Sequence, residues 1–391
     1  MRLILAMASL CLIAAALSGC ASDKTVNPGN EPASAAFHAP LFQGEADQGS
    51  PAGSAKAHGE PHREDGPVTT GMNSLQFPGM FWARRTVNIT NDFGGASLGT
   101  VMAGLGSGSI KVQPGNGDGY AIEAVLEADG MTEQAARDSL DRIEVKHTDS
   151  LESDGLHLTT VVDQKPAAPL IPLVQVSDGT WMYADVTITL PASPAYDLTA
   201  ETSSGDVTVG DLRGPSFQLS ASSGDVMVGS VNAGDLTLGT SSGDIGLDTV
   251  QANHLAASAS SGSVTGKDLR IGVVKADTSS GDISLQGLID TLEADASSGS
   301  LDIDAHGQQS GAYKLSASSG DITLKVLSGN GHAYRITADA SSGSVEVKLD
   351  DTESTDSQDH HASAVSRGFD SAPIQTVVEA ETSSGDITIQ G

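Results

Sequence analysis

Leu236-Thr237-Leu238-Gly239-Thr240-Ser241-Ser242-Gly243-Asp244-Ile245-Gly246-Leu247 is the stretch that decides the fold. On both sides of a Ser-Ser-Gly-Asp corner, apolar residues alternate with small or polar ones, the period of two that points successive side chains to opposite faces of a strand. Ser-Ser-Gly recurs from positions 203, 222, 241, 260, 279, 297, 318, 341 and 383, at spacings of 19, 19, 19, 19, 18, 21, 23 and 42. Other columns keep register with it. Five places before each first serine stand Leu198, Phe217, Leu236, Leu255, Val274, Leu292, Tyr313, Ile336 and Val378, all apolar. Four places after it stand Val207, Val226, Ile245, Val264, Ile283, Leu301, Ile322, Val345 and Ile387, and two residues further on only Gly266 breaks an apolar column. Self-similarity at this period is the mark of a solenoid.

The expectation is an all-β chain: a parallel β-solenoid, right-handed as parallel crossovers are by default, with coils of about 20 residues. One coil cannot bury its own apolar face, but stacked coils can, at about 4.8 Å per rung, so nine coils extend about 43 Å. Each coil should supply two strands and a third short one around Leu212, Val231, Val250, Leu269 and Leu288. The corner glycine suits a positive-φ position. The residue after it is Asp206, Asp225, Asp244, Ser263, Asp282, Ser300, Asp321, Ser344 and Asp386 in turn. Carboxylates stacked at this spacing repel by about 0.9 kcal/mol in water-like surroundings and about 3.5 at an effective dielectric of 20, so interspersed serine relieves the column.

The repeated Ser-Ser-Gly-Asp-Ile/Val-x-Val/Leu, preceded by a strand-rich region, resembles the bacterial adhesin-like β-strand-repeat family of unknown function, over roughly Val87 to Gly391. The resemblance implies the fold and offers no catalytic residues. The polar excursion at 350–372 departs from a minimal array and reads as an insertion loop on one coil.

The remaining segments divide the chain. Met1-Arg2 and the apolar run Leu3 to Leu17 are too short for a spanning helix and have the form of a signal peptide over 1–19. The run ends Leu17-Ser18-Gly19-Cys20, which resembles a bacterial lipobox, making Cys20 the lipidated mature N-terminus and the lipid its attachment to a membrane. The same resemblance, with Ala21 beside the cysteine, implies the outer membrane of the cell envelope. Acyl chains at about 0.8 kcal/mol per buried CH₂ anchor without spanning. Residues 20–70, rich in Ala, Gly, Pro, Ser and His, read as a disordered tether. Residues 71–197 read as a strand-rich N-terminal region with one helix over 133–143, capped by Thr132 and presenting Ala136, Leu140 and Ile143 on one face. The solenoid then runs over 198–391.

Composition narrows the function. Fifty acidic residues against 20 basic leave a net charge of −30, which phosphate backbones would repel, so nucleic acid is excluded as a partner. Of the only cysteines, Cys11 leaves with the signal peptide and Cys20 carries lipid, so no disulfide or thiolate site is expected in the folded part. Gly95-Ala96-Ser97-Leu98-Gly99 matches a nucleophile elbow in letters but lacks its strand-to-helix setting. His58 and His62 sit among Gly and Pro, and Asp356, Asp359, His360 and His361 are the better divalent-cation candidates. Asp206, Asp225, Asp244 and Asp282 could hold a ligand along the corner, although turn capping explains them without one. No cofactor is expected. The reading is a non-enzymatic envelope lipoprotein whose repeated surface binds an envelope protein or glycan, or extracellular material. A periplasm-facing scaffold or stress-response component and a polysaccharide-active β-helix enzyme are the alternatives. The last strand, Ile387 to Ile389, would leave an open solenoid end through which copies could associate.

Overall fold

The computed structural model describes residues 59–73, 80–165 and 181–391, without the side chains of residue 73, residues 353–355 and residue 357. The signal segment, Cys20 and most of the expected tether lie outside the described residues. The described residues are mostly β, with strands pairing largely in parallel and one short α-helix among them.

Two strand segments alternate in each coil, joined into one continuous strand in Val264–Thr278 and Ile283–Ala296. A short one follows the corner and a long one precedes the next, and each pairs in register with its counterpart one coil away, as in Val226↔Ile245 and Leu236↔Leu255. Both expected apolar columns lie inside: from Leu198 to Val378 on the long strands, and from Val207 to Ile387 on the short ones, every member is buried. The third strand is not separate. Leu212 and Val231 open the long strands Leu212–Ser223 and Val231–Thr240, whose pairing skips only at Pro215 and Gly234.

The corners form a single file, and glycine takes the expected positive φ at Gly205, Gly343 and Gly385 but serves a second purpose at the others. At Gly224, Gly243, Gly262, Gly281, Gly299 and Gly320 φ is not in the left-handed range. A Cβ on Gly243 would instead lie 2.1 Å from the carbonyl oxygen of Gly224, the corner beneath it. Stacked corners approach more closely than any side chain permits. Just inside the file, Thr240 and Thr278 are buried and donate to the Gly224 and Gly262 carbonyls, both at 2.9 Å, so these hydroxyls are satisfied within the core.

At both ends the coils stack out of chain order. The strands Leu98–Leu105 and Ile110–Gly115 lie directly on the first repeat, with Val101 beside Leu198 and Ile110 beside Val207. The later strands Leu156–Gln164 and Met182–Pro191 lie outside them. The stack therefore begins well before residue 198, within the expected N-terminal region. At the other end, Ile374–Ser384 and Ile387–Gln390 are inserted between the coil of Gly311–Lys325 and the coil of His332–Lys348. Ile387 pairs with Ile322 on one side and Val345 on the other, so the last strand is internal rather than an open end.

Antiparallel strands cover the outermost parallel strands at the N-terminal end and the long strand His332–Ser342 at the other, reducing the exposed edges that would recruit other chains. Residues 350–372 are not an irregular loop: they form the hairpin Thr352–Gln358/His361–Ser366, which pairs antiparallel with His332–Ser342, followed by a short 3₁₀ turn. At the N-terminal end, Ile143–Leu151 covers Leu156–Gln164, and Met80–Asp92 with Gly119–Gly130 covers Met182–Pro191. His62–Asp65, inside the segment read as tether, and Thr69–Asn73, across its end at residue 70, pair with Met80–Asp92. The helix is shorter than expected, Glu133–Leu140. Thr132 accepts from the Ala135 N–H, Ala136 and Leu140 are buried, and Ile143 belongs to the next strand.

Candidate functional site

The expected aspartate column is a hydrogen-bonded ladder. The Asp206 carboxylate accepts the Asp225 N–H at 2.9 Å, Asp225 accepts from Asp244, and Asp244 accepts from Ser263, both at 2.8 Å. Ser263 passes the pattern to Asp282 through its hydroxyl, and Asp282 accepts from Ser300. Each carboxylate thus caps the next corner, which accounts for Asp206, Asp225, Asp244 and Asp282 as structural acceptors. At the far end Asp386 accepts both the N–H and the hydroxyl of Ser344, which holds its carboxyl below the usual range. The paired serines of every repeat corner are exposed alongside this ladder.

The proposed cation ligands are not brought together. Asp356, Asp359 and His360 are exposed, His360 contacts the Gly343 carbonyl, and His361 contacts the Asp339 carboxylate at 2.6 Å. Among the described residues, the donor atoms that converge are those of exposed Glu152 and Asp154 and of partly buried His157 at the start of the strand Leu156–Gln164, where His157 already meets Asp154 at 3.0 Å. Ser97 is followed by the strand Leu98–Leu105 and has no nucleophile elbow around it.

A polar network occupies the N-terminal part. Buried Tyr120 donates to Asp149 at 2.5 Å and contacts His147 Nε2 at 2.9 Å, while His147 Nδ1 contacts Thr160 at 3.0 Å. Burial, with Asp149 beside it, pushes the Tyr120 hydroxyl up, and burial pushes His147 down. Asn91 donates to the same Asp149 oxygen at 2.9 Å. The network ties the strand Gly119–Gly130 to Ile143–Leu151 and Leu156–Gln164.

Away from the Ser-Ser-Gly file, an open groove of about 760 Å³ crosses successive coils. Its geometry follows from the turn between short and long strands. Leu212, Val231, Val250 and Leu269 point inward and are buried, leaving one exposed residue on either side at each rung. One lip is Asp211, Ser230, Thr249 and Asp268. The other is Arg213, Asn232, Gln251 and Arg270, placed in one row by backbone register. Leu288 and His306 continue that row to the end of the groove. Arg213 is steadied by the Ser193 carbonyl.

A family model described as Toastrack DUF4097 matches residues 106–390. The chain belongs to the Toastrack DUF4097 family. No curated protein matches it. Among solved structures, a "putative adhesin" from Bacteroides fragilis is similar at 14% identity, covering 78% of this chain and 96% of its own, with a TM-score of 0.37. A "putative adhesin" from Parabacteroides distasonis shares 13% identity over 83% and 98%, at 0.39. A "putative lipid binding protein" from the same species shares 12% over 84% and 97%, at 0.40. The toastrack assignment rests on the family match, and the in-register parallel pairing accords with it. The toastrack repeat as read from its corner residues gave no sign of the groove, because one exposed polar residue per rung looks like any solvated face. The readable signal was the identical tripeptide Asp-Leu-Arg at 211–213 and 268–270, three coils apart at the same corner.

Proposed function

We propose that this toastrack protein is a non-enzymatic bacterial envelope lipoprotein, held to the outer membrane through lipid on Cys20, that binds an extended envelope or extracellular component along its coil stack. Its coils are taken to wind right-handed. The groove carries this reading: a run of rigidly spaced, exposed hydrogen-bonding side chains suits a long ligand held by many modest contacts, and a tether would supply reach. The lipid anchor is supported by Leu17-Ser18-Gly19-Cys20 after a short apolar run. The net charge of −30 favours partners other than nucleic acid or anionic lipid.

The test is binding of the purified protein to isolated cell envelopes and to a panel of glycans, run beside hydrolase and lyase assays. Saturable binding without turnover is the expected result, and turnover of any glycan overturns it. Labelled palmitate should enter the wild-type protein and not Cys20→Ala. Protease treatment of intact cells should degrade the body; its protection until the outer membrane is breached would place it in the periplasm.

A further inference from the structure

Asp211 and Asp268 share an unusual backbone. Their φ values are 55° and 47°, and with Asn330 they are the only non-glycine residues at positive φ among the described residues. Each opens an Asp-Leu-Arg tripeptide, and the arginines Arg213 and Arg270 occupy equivalent positions in one row, separated by Asn232 and Gln251. Three rungs at about 4.8 Å put the two tripeptides about 14 Å apart. Between them, Ser230 faces Asn232 and Thr249 faces Gln251 across buried Val231 and Val250. The part of the groove from Asp211 and Arg213 to Asp268 and Arg270 is therefore a strip with matching ends: carboxylate and guanidinium at each end, hydroxyl and amide at the two rungs between.

We propose that this strip is a binding site for a neutral, linear polyhydroxylated chain, a segment of uncharged glycan lying across the coils with an Asp–Arg pair at each end of the bound stretch. The proposal rests on the binding role argued above and specifies its ligand. Three features select the class. The end rungs offer a carboxylate acceptor on one lip and guanidinium donors on the other, the two middle rungs offer hydroxyls and amides that do both, and adjacent hydroxyls on a sugar ring also donate and accept, so one ring satisfies both lips. The four charged residues cancel, Asp211 and Asp268 against Arg213 and Arg270, so the strip favours neither a polyanion nor a polycation, and the surrounding negative charge disfavours the former. An extended peptide would bind by adding a strand to a free edge, whereas the backbone of the Arg213, Asn232, Gln251 and Arg270 lip is already paired from coil to coil.

The positive-φ aspartates make the test clean. Asp211→Gly and Asp268→Gly remove both carboxylates while giving the backbone the residue that adopts this conformation most readily, so folding should be retained. Full-length protein is titrated by calorimetry with cellohexaose, chitohexaose and maltohexaose, with hexagalacturonate and an extended octapeptide as the charged and peptide comparisons. At least one neutral hexamer should bind, more tightly than its dimer. The double glycine variant and Arg213→Ala/Arg270→Ala should each weaken it at least about tenfold, with thermal midpoints for the glycine variant no lower than wild type. Preference for hexagalacturonate or the peptide, or binding that the variants leave unchanged, overturns the proposal. Isolated envelopes separate the two levels. If wild-type protein binds envelopes and the double variants do not, yet no neutral hexamer binds, the ligand class is wrong while the binding role stands. If wild-type protein binds neither, both fall.

Discussion

The backbone N–H of Asp386 donates to the carboxylate of Asp321, 65 residues earlier, at 2.8 Å. Ser344, which precedes Asp386 in the chain, lies on its other side, with its N–H 2.7 Å from the Asp386 carboxylate. One late coil thus holds two earlier ones together. Ending the chain after Pro373 should therefore do more than trim the stack: it separates Ile322 from Val345 and strips the hairpin coil of its parallel partner. The expected result is rapid proteolysis throughout 326–373 and loss of amide protection in Ile322–Lys325. Protection undiminished there would mean that the hairpin coil can dock directly on Gly311–Lys325.

Ile283 has no exposed surface, whereas Thr237 on a long strand is partly exposed and sits between two buried neighbours. Ile283→Asp places an unpaired charge in the core and should destabilise by more than about 4 kcal/mol. Thr237→Asp should stay within about 0.5 kcal/mol of wild type. Denaturant midpoints compare the two, and equal losses would refute the assignment of faces.

Gly243 and Gly239 differ by close approach rather than by backbone angle. A Cβ at Gly243 meets the Gly224 oxygen at 2.1 Å, while one at Gly239 meets nothing within 4 Å. Gly243→Ala should lower stability by about 2 kcal/mol or more, through displacement of the corner file. Gly239→Ala should be neutral or slightly stabilising, measured by thermal unfolding of both variants.

Asp225 accepts from the Asp244 N–H, a role an amide oxygen can also fill. Asp225→Asn should be nearly silent in unfolding experiments, and Asp225→Ala should lose about 1 kcal/mol. A large loss with asparagine would show that the negative charge itself matters at the corner, in favour of a ligand there.

His147 gives the N-terminal part a pH dependence. Burial lowers its folded pKa below the unfolded value of about 6.5, so between the two the unfolded chain binds more protons. Its contribution is complete above about pH 6.5 and is lost as pH falls through the lower folded value. Asp129, Glu201 and Asp277, whose carboxyls burial pushes up, act in the opposite sense nearer pH 4. The drop in thermal midpoint between pH 7.5 and about 5.5 should be smaller in His147→Gln than in wild type. An identical drop would remove His147 as its source.

The coil columns were legible because burial at a fixed rung repeats the same demand every 19 residues. The first two rungs were not. Gly106-Ser107-Gly108-Ser109 is the corner next to Ser203-Ser204-Gly205-Asp206, but it has lost the tripeptide and lies almost a hundred residues from its neighbour. Stacking order was equally hidden, since corners of one shape fit one another in any sequence. Its trace lies outside the core: Glu293, Lys314 and Glu379 stand on adjacent long strands with alternating charge, whereas chain-order stacking would set Lys314 beside Thr337. The groove was readable only in the recurrence of Asp-Leu-Arg, because what makes those residues a site is their alignment across coils.

The insertion of residues 374–390 also sets a sequence of events during synthesis. The hairpin coil is translated first but lacks its parallel neighbour until the later segment emerges, so the stack cannot close progressively behind the ribosome. Closure waits for residues 374–390, and a product released before them would carry an unsealed edge that quality-control proteases can recognise.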